Sequence, residues 1–247
     1  MEVRIGTSGW NYPHWRGPFY PRGLPPAAWL EYYSRHSDTV EINATFYGRP
    51  KPSTFERWYQ STPEGFLFAI KASRYITHIK RLKKVEEPIT RFYQDLKPLK
   101  EKLGGILFQL PPNMAFNKER LEDFLSLLDL SIPTAIEVRH ESFLTEDFFR
   151  LLEKHKVGFC ISDTAGKYPS LAYRITADFT YIRLHGSRIL YASPYTRQEL
   201  EEWAHRIISW GVDAHVYFDN DAHGYAPLNA VQLKEILKGS CTLPSKD

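Results

Sequence analysis

Short apolar runs in which residues alternate in character recur along the chain, with longer amphipathic stretches between them. The runs fall at residues 3–8, 39–45, 66–72, 105–110, 134–139, 158–163, 180–185 and 214–219, and their length and period of two predict eight strands. Stretches of helical period at 26–36, 52–61, 86–103, 117–129, 145–155, 197–210 and 227–237 predict helices, with Ser53, Asn117, Thr145 and Thr196 as cap candidates. Strands alternating with helices predict βαβ units and a parallel sheet. Eight of them close most simply as a TIM-type (β/α)8 barrel, an α/β fold of one domain over residues 1–247 with a short tail from about residue 239. The sixth helix is expected to be absent or reduced, because GKYPSLAYRITAD between strands six and seven is polar and broken by Pro169. An open doubly wound sheet is the alternative, weakened because no GxGxxG follows any strand.

The strands end in charge. AIEVRH carries Glu137 and Arg139 on one parity, VEINATF carries Glu41 and Asn43, and YIRLHGS carries Arg183 and His185. Their alternates Val40, Ile42, Ile136, Val138, Ile182 and Leu184 suit the helix-packed outside, so the polar set, with Lys71 and Gln109, is predicted to point into the barrel. Asp163 is a further candidate, although it shares parity with Phe159 and Ile161. In such a barrel the C-terminal ends of the strands form the functional face. Lys71, Arg139 and Arg183 suit an anion clamp, since guanidinium groups grip phosphate or carboxylate in bidentate fashion. His185, Glu41, Glu137 and Asp163 are the candidates for proton transfer, and Asn43, Gln109, Asn220, Trp10 and Tyr47 for substrate contact. The bland alternative is a polar plug in which the glutamates merely neutralise the cations.

Two loops stand out. Residues 9–26 hold Trp10, Tyr12, Trp15, Phe19 and Tyr20 among Pro and Gly, a set that serves either to stack a base or sugar or, as the favoured reading, to pack the loop over the rim. After strand three, Lys71, Arg74, Lys80, Arg81, Lys83 and Lys84 occur without an acidic residue, which fits a solvated face or phosphate contact.

Composition narrows little further. With 43% hydrophobic and 25% charged residues and a net charge of +3, the chain is expected to be soluble and mildly basic. Cys160 and Cys241 have no CxxC or zinc spacing, no segment reads as a signal peptide or membrane span, and a cytoplasmic location is expected. Glu41, Glu137, Asp163, His140, His185 and Asp219 are conceivable metal ligands, but no HExxH-like spacing fixes them, so a divalent metal is not favoured and no other cofactor is implied. His36, His155, His205 and His215 read as surface or helix-end residues. Glu41 and Glu137 also suit a glycosidase pair, against which the neighbouring cations argue. No Walker motif or GxSxG elbow is present.

The ordered motifs GTSGW, VEINATFY, FAIKASRYITH, LFQLPP, AIEVRHESF, YIRLHG and YFDNDAHGYAPLNAVQL span nearly the whole chain and resemble the YecE-like family, domain of unknown function 72. The resemblance implies a closed TIM-type barrel whose missing sixth helix is normal, and no settled reaction. Its motif residues, carried over, are Glu41, Asn43, Phe46, Tyr47, Lys71, Gln109, Pro111, Glu137, Arg139, His140, Asp163, Arg183, His185, Gly186, Asn220 and Asn229. The barrel is also similar, by analogy, to endonuclease IV, a metal-dependent DNA repair nuclease whose full set of metal-binding residues is not matched. The expectation is a hydrolase or lyase acting on a small phosphorylated ligand or nucleic acid, with no membrane and no obligate protein partner. A non-catalytic nucleic-acid binder or a sugar enzyme is the alternative.

Overall fold

The computed structural model describes residues 1–240, so residues 241–247 of the expected tail, and with them Cys241, lie outside the described residues. Eight strands form: β1 (Val3–Thr7), β2 (Thr39–Ile42), β3 (Leu67–Lys71), β4 (Leu103–Gln109), β5 (Thr134–Glu137), β6 (Gly158–Asp163), β7 (Phe179–Leu184) and β8 (Asp213–Phe218). All pair in parallel, in the order β1-β8-β7-β6-β5-β4-β3-β2. The helices are α1 (Trp29–Ser34), α2 (Ala44–Tyr47), α3 (Pro52–Gln60), α4 (Glu86–Leu96), α5 (Lys118–Leu125), α6 (Glu146–Lys154), α7 (Arg197–Trp210) and α8 (Tyr225–Ser240). Residues 164–178 contain no helix. This is a single-domain TIM-like barrel.

The ring closes between β1 and β2 by an unusual seam. One backbone bridge joins Ser8 to Glu41, with Gly9 N donating to Glu41 O at 2.8 Å. Elsewhere along the seam a side chain takes the place of the ladder: the Tyr33 hydroxyl, from α1, accepts from Thr7 N at 2.8 Å and donates to Thr39 O at 3.0 Å. Gly6 is required there because a Cβ would lie 2.0 Å from Thr39 O.

Several expected boundaries move for identifiable reasons. β2 stops at Ile42, and Asn43 starts the one-turn α2 instead of continuing the strand. The helix expected over 86–103 ends at Leu96, because Pro98 has no N–H to offer the next turn, and the chain tightens into a 3-10 stretch, Lys97–Lys102. Asn117, Thr145 and Thr196 do cap α5, α6 and α7, the last in a reciprocal capping box with Glu199. Ser53 does not cap: Lys51 precedes α3 and Pro52 opens it, its preset φ and missing N–H suiting the first helical position.

The outward strand residues, among them Val40, Ile42, Phe68, Ile70, Phe108, Ile136, Val138, Ile182 and Leu184, pack in one cluster with the helices. The inward ones form a separate small cluster of Ala69, Leu107, Ala135, Cys160, Phe179, Tyr181 and Tyr217. His215 belongs with these and not on the surface, since its parity on β8 matches Tyr217, and its ring lies parallel to that of Tyr181. Burial, then Arg4, pushes its pKa down to about 4. In the 9–26 loop Trp15 and Tyr20 are fully buried, and Tyr20 stacks on Trp29 with ring centroids 5.0 Å apart. Those aromatics pack the rim. No helix among the described residues is long and apolar enough to cross a membrane.

Candidate functional site

Parity and the closed ring bring the polar strand ends into two layers. In the inner layer Arg183, on β7, lies at the centre and is 1% exposed. Its Nε donates to Glu41 at 3.0 Å and its Nη2 to the same carboxylate at 2.8 Å, while Nη1 donates to Glu137 at 2.7 Å and to His185 Nε2 at 3.2 Å. Nη2 also meets Ser8 Oγ at 3.3 Å and Asp219 at 3.5 Å. Glu41 accepts further from Ser8 Oγ and, at 2.8 Å, from Tyr181. The N–H groups of this guanidinium, which was expected to clamp a ligand, are all directed at protein acceptors.

An arginine can only donate, so its contact with His185 leaves the lone pair on Nε2 and the proton on Nδ1. That Nδ1 lies 2.9 Å from Asp219 Oδ2, within ion-pair distance but without hydrogen-bond alignment. Glu137 is also closed, its second oxygen accepting from Arg139 Nε at 2.9 Å. Burial would raise its pKa, but Arg139 and Arg183 outweigh burial and hold the carboxyl well below the usual range.

The outer layer is less completely paired. Arg139 commits its Nε to Glu137, stacks its guanidinium 4.4 Å from the Tyr168 ring centroid, and among the described residues makes no hydrogen bond through its terminal nitrogens. Lys71, at the end of β3, is buried and makes no hydrogen bond or ion pair among the described residues, its Nζ lying 4.2 Å from the Phe46 ring centroid. Burial, then Arg183, lowers its pKa to about 8, with Glu137, Glu41 and Asp219 pulling the other way. On the two neighbouring strand ends, Asn43 Oδ1 and Gln109 Oε1 are buried without a hydrogen-bond partner among the described residues. Asp219, 18% exposed, connects the layers; burial would raise its pKa, but His185 and then Arg183 hold it below the usual range. Tyr47 is exposed on the rim, and Trp10 is partly buried, edge-on to Trp58.

Two expected site residues lie elsewhere. Asp163 follows Phe159 and Ile161 to the outside of β6, where it accepts from Tyr195 at 2.9 Å and from Ala165 N at 3.2 Å; burial raises its pKa. Asn220 is fully buried behind the sheet, donating to Ser193 O and to Asn229, and so ties the loop after β7 to α8. Sequence reasoning also missed participants. Ser8 and Tyr181 share parity with the interior and were findable on that ground. Tyr168 was not, since its place over Arg139 depends on how the helix-free crossover folds back. A cleft of about 330 Å³ beside the mouth, lined by Arg49, Tyr75, Arg91 and Asp95, offers no free cation of its own: Arg49 binds Asp95 at 2.6 Å and Arg91 binds Glu87. Among the described residues no group of three or more His, Cys, Asp or Glu is arranged to hold a metal ion; of the conceivable ligands Glu41, Glu137, Asp163, His140, His185 and Asp219, four gather around Arg183, which occupies the carboxylates of Glu41 and Glu137.

Fold and site together define a TIM-type barrel with a buried charged network at the C-terminal ends of its strands. The chain belongs to the DUF72 family, described as proteins of unknown function, whose profile matches residues 4–246. It is 27% identical to the UPF0759 protein YunF of Bacillus subtilis, over 95% of this chain and 94% of that one. It is 31% identical to the UPF0759 protein YecE of Escherichia coli K12 over 58% of this chain and 51% of the relative. A DUF72 family protein of Thermotoga maritima superposes with a TM-score of 0.85 at 30% identity, covering 96% of this chain and 100% of that one. A GH5_18 protein of Bifidobacterium longum, in complex with Manb1-4GlcNAc, shares the fold alone, with a TM-score of 0.58 at 8% identity, over 100% of this chain and 80% of that one.

Proposed function

We propose that this protein is an enzyme acting on a phosphate-bearing substrate at the C-terminal mouth of its barrel. The observation that carries the reading is the contrast between layers: the inner cations are closed on carboxylates, whereas Lys71 and the terminal nitrogens of Arg139 are left unpaired beside the mouth. A buried cation without a counter-ion costs free energy that an anionic ligand recovers. In this reading Glu137 aims Arg139, and Asp219 with His185 behind it moves the proton. A glycosidase role is less favoured, because Glu41 and Glu137 are both fully buried and bound by arginine.

Calorimetric titration with glycerol 3-phosphate against glycerol tests the reading. Only the phosphate ester should bind, and Arg139→Ala should weaken it by roughly 10-fold or more, as expected for a lost charged hydrogen bond. Equal binding of both, or an unchanged affinity in the variant, would remove the basis of the reading. The exposed Arg74, Lys83 and Lys84 favour a second reading, contact with single-stranded nucleic acid. Its mark would be binding that falls steeply with salt and with removal of these three side chains.

A further inference from the structure

Lys71 has more to offer than charge. It lies at the inward end of β3, buried, and among the described residues it has no hydrogen bond and no carboxylate of its own, because Glu41 and Glu137 are both occupied by Arg183 and its neighbours. Its amine faces an aromatic ring, Phe46, and the neighbouring strand ends carry two amide oxygens, Asn43 Oδ1 and Gln109 Oε1, that are buried without a hydrogen-bond partner among the described residues. Phe46 also packs edge-on against His78, with ring centroids 5.0 Å apart. The His78 Nδ1 pairs with Thr77 Oγ1 at 2.8 Å, leaving Nε2 free to exchange a proton. The charged groups acting on the amine are Arg183, Glu137, Glu41 and Asp219, and Lys71 in turn acts on His78 together with Arg139 and Arg74. A desolvated amine among other cations is the setting in which lysine serves as a nucleophile.

We infer that Lys71 captures the carbonyl carbon of an aldehyde or ketone as an imine, while the phosphate of the same molecule rests on Arg139. The inference rests on the phosphate reading above and narrows it to phosphorylated carbonyl compounds. In the step, the neutral amine forms an N–C bond as the carbonyl oxygen takes up a proton. The resulting carbinolamine then loses that oxygen as water, with both hydrogens of the water supplied in net by the amine. No oxidant or reductant is needed. The Asn43 and Gln109 oxygens are placed to accept hydrogen bonds from the carbinolamine and from substrate hydroxyls, and His78 to relay the proton. Near neutral pH roughly a tenth of the amine is in the reactive form if its pKa is about 8.

The test is reductive trapping on the full chain. Dihydroxyacetone phosphate, or dihydroxyacetone, is added with sodium borohydride, which delivers hydride to the imine carbon, and the adduct is located by peptide mass mapping. The expected result is a reduced adduct on Lys71, formed at a concentration at least 10-fold lower for the phosphate ester, with a yield rising through about pH 8. Lys71→Arg should lose the adduct, and because the mapping is done on the unaltered chain the result does not depend on that variant folding. Adducts confined to exposed lysines such as Lys83 and Lys84 would overturn the inference. If glycerol 3-phosphate binds in an Arg139-dependent way but Lys71 is never trapped, the imine falls and the phosphate reading stands. If dihydroxyacetone labels Lys71 as readily as its phosphate does, the nucleophile stands and the phosphate reading falls.

Discussion

Glu137 accepts from Arg139 on one oxygen and Arg183 on the other, fully buried, so replacing it separates a counter-ion from its partners. Glu137→Gln keeps the shape and leaves two guanidinium groups undercompensated; urea unfolding should show a loss of about 3–5 kcal/mol. Because the folded-state pKa is depressed, this stabilisation is complete above the unfolded value of about 4.3 and disappears as pH falls towards the folded value. The variant should accordingly lose the part of the acid limb that begins below about pH 4. Lys71 behaves in the opposite range. Its folded pKa of about 8 lies below the unfolded value near 10.4, so the unfolded chain binds more protons between them and stability rises with pH across that interval. In Lys71→Met that rise should be absent, measured as the difference in unfolding free energy between the two proteins at about pH 7 and 10.

At the scale of elements, parity made most of the interior legible. Glu41, Lys71, Gln109, Glu137, Arg139, Arg183 and His185 were all readable as inward because apolar alternates mark the other face of each strand, and the polar crossover before β7 announced its missing helix. Which cations remain free was not legible, since Arg183 and Arg139 look alike until the ring closes and sets one of them at the centre of three carboxylates. Asp163 and Asn220 show the limit of reading a strand end as a site: both follow outward residues, and parity outweighed position. Caps were readable because they act within one turn. Thr196→Ala should remove one half of a capping box and cost about 1 kcal/mol in thermal or urea unfolding, with no effect on phosphate-ester binding.

For the molecule as a whole, a ligand that binds only the folded barrel raises its stability by ~3 kcal/mol at a hundredfold excess over Kd. Glycerol 3-phosphate should therefore raise the Tm by several degrees, and the increase should shrink with added salt and in Arg139→Ala. An unchanged Tm at saturating ester would count against the mouth as the binding site. The seam between β1 and β2 has a different consequence for the whole ring. Seven of the neighbouring strand pairs are held by backbone ladders, whereas here the Tyr33 hydroxyl bridges Thr7 and Thr39 on the N-terminal side of the Ser8 to Glu41 bridge. Losing that one oxygen would leave unpaired strand edges of the kind that template pairing between molecules. Tyr33→Phe should exchange the Thr7 amide hydrogen faster than any other in β1, and at high protein concentration it should associate edge to edge where the parent chain does not.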